Sequence, residues 1–246
     1  MKREIVLSTS QSKRLIGRGL ARWPPIRERL ERGTILITKG TTNRYVAEEI
    51  LGESLQDHRF AWGLVVPPGT PRHGDDIPEI IIVDGKRTEM EYGEAVDRLS
   101  PGDIYVKGGN ALHYPTRTVG VLSSSPVGGT IGRSLPRVIG SRVRLVITVG
   151  LEKCVPGPIE DISRRMNDPG PGTNGSTMYV IRGEVFTEIE ALDVLTGATA
   201  THVASGGVLG YDGAVRLVVT GDEEEIRRVE TVEKSLKDEP PYDYRK

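Results

Sequence analysis

The sequence predicts an α/β protein: a mostly parallel sheet covered by helices over residues 1–165, followed by a small α+β unit over residues 176–238. Three observations lead to this. Short apolar strands alternate with helix-period segments through the first 150 residues, which is the pattern of a parallel sheet with crossover helices. The strand at 144–149, Arg-Leu-Val-Ile-Thr-Val, is continuously apolar rather than alternating, as expected where helices cover both sheet faces. The run Asp-Pro-Gly-Pro-Gly-Thr-Asn-Gly at 168–175 can only be loop, and it supplies the domain boundary.

Taken in order, Leu15, Ile16, Leu20, Trp23, Ile26 and Leu30 recur at helical spacing from Gln11 to Arg32, with Pro24 and Pro25 dividing the run and Gly33 ending it. A strand follows at 34–38, then the turn Lys39-Gly40-Thr41-Thr42-Asn43, then a helix at 44–51. Residues 60–67 read as a strand, and 79–83 with 86–90 as a hairpin on the Asp84-Gly85 turn. A short helix is expected at 94–99, strands at 103–106 and 118–122, and a helix at 130–141 behind the Gly-rich stretch 125–129. Beyond the boundary come a strand at 178–181, a helix at 187–195, strands at 198–204 and 215–219, and a charged helix at 222–237. Its opening Asp222-Glu223-Glu224-Glu225 suits a helix start, where carboxylates oppose the dipole.

With 33 basic and 34 acidic residues the net charge is -1, so nothing demands nucleic acid or an anionic membrane as partner. No apolar run approaches the roughly 20 residues that span a bilayer, and the expected location is the cytoplasm. A single cysteine, Cys154, rules out an internal disulfide framework and a cysteine-rich zinc site. His58, His73, His113 and His202 lack the close spacing of metal ligands, and no metal or other cofactor is expected. Asn and Gln, four and two in number, are scarce enough to point toward a thermophilic source.

Three loops carry candidate chemistry. Lys39, Gly40, Thr41 and Thr42 join a strand to a helix start, where backbone N–H groups, hydroxyls and an ammonium suit an anion. Gly128, Gly129 and Thr130 offer a second helix start at which glycines permit close approach. Lys107 and Asn110 flank Gly108-Gly109 at the end of a strand, where a desolvated lysine can bind an anion or act as a base.

The strings "TILITKGTTNRYVAEEIL", "GDIYVKGGNAL" and "SPVGGTIGRSLPRVIGSRVRLVITVGLEKCV", in that order, resemble the superfamily of ribose-5-phosphate isomerase, glucosamine-6-phosphate deaminase and coenzyme A transferases. The likeness runs from about Gln11 to Pro156 and implies a Rossmann-like sheet domain with a ferredoxin-like appendage. It further implies phosphate contacts from Gly40, Thr41, Thr42 and Lys153, and a homo-oligomer. The family's catalytic carboxylates align with Lys107 and Asn110, and its general-base glutamate falls near Ser134. The resemblance thus supports a phosphate site more than it supports isomerisation.

The expected function is binding of a small phosphorylated or otherwise anionic metabolite, with Lys107 and Asn110 facing its reacting end. A divergent sugar-phosphate isomerase or a coenzyme A-using transferase is the alternative, the latter with Glu152 as nucleophile. A non-catalytic sensor or structural protein is the other.

Overall fold

The computed structural model describes residues 1–55, 59–61, 70, 76–170 and 175–242. Its centre is a six-stranded sheet in the order β10-β8-β5-β2-β3-β4, formed by β2 (Thr34–Ile37), β3 (Ile80–Val83), β4 (Lys86–Thr88), β5 (Ile104–Gly108), β8 (Arg144–Thr148) and β10 (Glu184–Phe186). The four strands from β10 to β2 are parallel, and β3 and β4 continue the sheet as an antiparallel hairpin. Asp84 and Gly85 turn that hairpin with φ of 47° and 75°, the positive values that a tight two-residue hairpin turn requires. The strand order β4-β3-β2-β5-β8-β10 reverses between β2 and β5, as in a doubly wound sheet, although on the β3-β4 side the strands are antiparallel.

Two antiparallel three-stranded sheets flank it. One is β6 (Ala111–His113), β7 (Thr118–Ser123) and β9 (Thr177–Arg182); the other is β1 (Lys2–Leu7), β12 (Val215–Thr220) and β11 (Thr199–Ser205). The strand expected at 118–122 therefore exists but lies outside the parallel sheet. The strand expected at 60–67 falls mostly outside the described residues.

The helices are α1 (Thr9–Arg22), α2 (Pro24–Glu31), α3 (Thr41–Leu51), α4 (Tyr92–Arg98), α5 (Gly129–Gly140), α6 (Ile159–Met166), α7 (Glu188–Thr196) and α8 (Glu223–Leu236). Ser8 and Gln11 form a capping box at the start of α1, and Pro24 and Pro25 open α2 as its first turn, where a missing N–H costs nothing. α1 packs across both α3 and α7. Glycines allow the close approach: a Cβ on Gly17 would lie 2.7 Å from the Tyr45 carbonyl oxygen, and one on Gly19 would lie 2.6 Å from Ala191 Cα.

The division expected at 168–175 does not separate two sheet systems. β9 pairs with β7 and β10 with β8 across it, while β1, a strand the sequence reading passed over, pairs along its whole length with β12. β1 alternates exposed Lys2 and Glu4 with buried Ile5 and Leu7, a two-residue period half hidden by its charges. One apolar cluster unites Leu15 and Leu20 of α1, Ile35 and Leu36 of β2, Val146 of β8, Phe186 of β10 and Leu217 of β12.

Candidate functional site

The C-terminal ends of the parallel strands are where a sheet of this kind presents ligand-binding groups. Here the ends of β2, β5 and β8 are joined by one side chain. Asn43, wholly buried in the first turn of α3, donates Nδ2 to the Thr38 carbonyl oxygen at 2.8 Å and lies 3.4 Å from that of Val106, while its Oδ1 accepts from the Thr148 hydroxyl. Asn43, read from sequence as a turn residue, is thus a buried brace across three strands, because α3 begins at Thr41 and not at Arg44.

That earlier start also moves Thr41 and Thr42 from the loop into the helix. Among the described residues no side chain caps α3, whose N-cap is Gly40. Thr42 is 3% exposed, and among the described residues its Oγ1 has no hydrogen-bond partner. An uncapped helix start beside an unpaired buried hydroxyl is a place where an anion would satisfy donors that the protein leaves open. Two other members of the predicted loop are already engaged. The Gly40 amide donates to the Phe60 carbonyl oxygen at 2.9 Å, and Lys39 Nζ stands 3.6 Å from Asp76 Oδ2.

On β5, Tyr105 and Lys107 share a face by strand alternation, and that face meets α4 and α5. Tyr105 Oη and Tyr92 Oη lie 2.9 Å apart, and the Tyr92 hydroxyl is also 2.9 Å from the Thr130 carbonyl oxygen, so the start of α5 is tied to β5 through two tyrosines. Burial raises the pKa of both phenols, keeping them protonated. Lys107 is buried, and its one hydrogen bond among the described residues is a 3.4 Å contact to the neighbouring Gly108 carbonyl oxygen. Burial, reinforced by the Lys153 ammonium and opposed by Glu79, lowers its pKa to about 8. Lys153, in the short turn Leu151–Lys153 after β8, donates Nζ to the Gly109 carbonyl oxygen at 2.9 Å.

The other sequence-predicted residues have structural occupations. Asn110 Oδ1 accepts the Leu122 amide at 3.0 Å and the Asn110 amide donates to Gly120, which fixes the turn between β5 and β6. Its side-chain oxygen is therefore engaged on β7. Gly128, in the left-handed region at φ 76°, gives room to the Tyr179 ring, and a side chain there would collide with the phenol. An open cleft of about 300 Å³ lies beside it, lined by Ser125, Pro126, Asn167, Thr177, Met178 and Tyr179. Gly129 follows with φ 59°.

Sequence reasoning singled out Glu152 but missed the polar group to which it belongs. Lys13 near the start of α1, Glu152 in the turn and Glu188 at the start of α7 interact electrostatically with one another, and Lys13 also with Lys153 and Arg44. Burial lowers the pKa of Lys13, and burial together with Glu152 raises that of Glu188 well above the usual carboxylate range. Cys154 is pushed up to about 11 by burial and by these carboxylates, so it is an inert thiol at neutral pH. No local motif marks this group, because its members come from three elements far apart in the chain.

His113 Nδ1 lies 2.8 Å from Thr116 Oγ1 and His202 Nε2 lies 2.8 Å from Ser205 Oγ, both on the surface; His58 and His73 lie outside the described residues. Among the described residues no three His, Cys, Asp or Glu side chains are grouped to hold a metal ion, and no helix is long and apolar enough to cross a membrane. In comparisons with known proteins, no family model, no curated protein and no solved structure matches this chain.

Proposed function

We propose that this protein binds a small phosphorylated or otherwise anionic metabolite at the C-terminal ends of β2, β5 and β8, on a Rossmann-like sheet. The observation that carries the reading is Lys107. A buried ammonium with a single long hydrogen bond, on which a second lysine acts more strongly than the opposing Glu79, is costly unless an anion completes it. Lys153 and the open donors at the start of α3 lie on the same end of the sheet, and the resemblance in element order is a further support. Lys107 and Lys153 hold the anion's charge in this reading, with Thr42 and the α3 amides as additional donors.

A thermal-shift and isothermal-titration screen against inorganic phosphate, sugar phosphates, nucleotides and coenzyme A tests it. A stabilising ligand whose affinity falls at least tenfold in both Lys107→Met and Lys153→Met is expected. Absence of binding in every class, or binding indifferent to both substitutions, would remove the site.

Chemistry on that ligand, as in a divergent isomerase or transferase, is the second reading, favoured by the buried Glu188 and the half-buried Glu152. Glu152→Ala leaving turnover of the identified ligand intact would exclude the transferase form, in which that carboxylate is the nucleophile.

A further inference from the structure

Two ammonium groups are seated on one short turn after β5. Lys107 Nζ lies 3.4 Å from the Gly108 carbonyl oxygen, and Lys153 Nζ donates to the next carbonyl along, that of Gly109, at 2.9 Å. The turn carrying both carbonyls is fixed on β7: Asn110 bonds to Leu122 and Gly120, and a Cβ on Gly109 would lie 2.3 Å from Val119 Cγ1. Among the described residues no carboxylate bonds either ammonium, and Glu79 acts on Lys107 without bonding to it.

The two lysines differ in their surroundings. Lys107 is 9% exposed and its single hydrogen bond is long, whereas Lys153 is half-buried with a hydrogen bond of ordinary length. On the Gly108 side the turn is clear, since a Cβ there would meet no described atom within 4 Å. The Lys107 amine is therefore buried, loosely held and beside a second cation. Desolvation and a like charge both disfavour the ammonium, and these are the conditions that make a lysine nucleophilic. The resulting pKa near 8 leaves on the order of a few hundredfold more free amine at neutral pH than an ordinary lysine has. Lys13, also affected by burial and Lys153, is opposed by the carboxylates of Glu152 and Glu188, which favour its charged form.

We propose, on the footing of the anion site above, that Lys107 forms a Schiff base with a small phosphorylated aldehyde or ketone. The Nζ lone pair attacks the carbonyl carbon, a C–N bond forms, and the carbonyl oxygen departs as water with the two amine hydrogens. The imine nitrogen then takes one proton from solvent. The iminium keeps a positive charge beside the ligand's phosphate, which Lys153 and the donors at the start of α3 hold. No oxidant or reductant takes part. A bare anion would use the charge of Lys107 alone, whereas a phosphorylated carbonyl compound uses both its charge and its nucleophilicity.

The test incubates the full-length protein with glyceraldehyde 3-phosphate and, separately, with glyceraldehyde. Borohydride then delivers hydride to the imine carbon and fixes any adduct as a secondary amine, which intact mass and peptide mapping locate. A single adduct on Lys107 is expected, forming about tenfold faster or more with the phosphorylated aldehyde, because binding of the remote phosphate places the carbonyl. Lys153→Met should keep the position of the adduct and lose most of that preference. Lys107→Met should lose the adduct with its circular dichroism unchanged; mapping in wild type decides the position even if that variant does not fold. Label scattered over exposed lysines, at rates equal to or above that on Lys107, would overturn the Schiff base, and inorganic phosphate still bound in isothermal titration would leave the anion site standing. No binding of inorganic phosphate, together with equal labelling by the two aldehydes, would overturn the anion site and the phosphorylated class of ligand with it.

Discussion

Lys107 carries a stability cost that can be read independently of any ligand. Its pKa falls from 10.5 in the unfolded chain to about 8 in the fold, chiefly through burial. Between those values the unfolded chain binds more protons, so stability rises with pH from 8 to 10.5 and the full penalty, about 3 kcal/mol at ~1.4 kcal/mol per tenfold change, is present below pH 8. Lys107→Met keeps the apolar stem and removes the charge. It should stabilise the ligand-free protein by about 1 to 3 kcal/mol at pH 7, and by much less at pH 10.5, in urea denaturation. A less stable variant at pH 7 would show that the ammonium is well satisfied. Glu188 has the opposite slope: its pKa is raised by burial and Glu152, so the native state keeps a proton that the unfolded chain releases above its ordinary carboxylate pKa. Stability should fall as pH climbs from about 4.5 toward neutrality, and Glu188→Gln should flatten that part of the profile.

The helices are held by glycine contacts as much as by apolar stripes. Gly17→Ala in α1 replaces the hydrogen that faces the Tyr45 carbonyl at 2.7 Å, and the clash should outweigh the helix propensity gained. A loss of about 1 to 3 kcal/mol is expected in thermal or urea denaturation. Gly140→Ala at the end of α5, where a Cβ meets nothing within 4 Å, is the control and should be neutral or slightly stabilising. Equal effects at the two positions would mean that α1 and α3 can separate without cost. Most helices and the long apolar strands were legible in the sequence, because Leu15, Ile16 and Leu20 or Ile35 to Ile37 announce their period directly. The boundaries at Thr41 and Tyr92 were not, since an uncapped helix start leaves no residue signature. Lys107 and Lys153 were found as candidates, whereas Glu188 was hidden within a run that reads as an ordinary capping box, Thr187 to Glu190.

On the scale of the whole molecule, the two-unit division suggested by composition gives way to interleaved pairing. A fragment ending at residue 165 would retain β1, β7 and β8 but strip each of a neighbour, β12, β9 and β10 respectively. It should fail to fold, showing poor dispersion in NMR spectra and no cooperative melting, and the full chain should unfold in a single step by tryptophan fluorescence and far-ultraviolet circular dichroism alike. A fragment with a sharp transition of its own would restore the two-domain description. Pairing between distant strands cannot be seen from either strand alone, which is why β1, with Lys2, Arg3 and Glu4 among its first residues, carries no assignment in the sequence.

The union of β1 with β12 bears on how the protein is made. Arg3 on β1 bonds to Glu233 on α8, 230 residues further along. During synthesis the first strand therefore leaves the ribosome long before its partner exists, and its apolar Ile5 and Leu7 stay without their final neighbours while nearly all the chain is translated. Contacts of such long range slow folding, and the waiting strand is a natural point for a chaperone to hold or for aggregation to begin. Emergence of β12 and α8, rather than completion of the parallel sheet, is then the event that closes the fold.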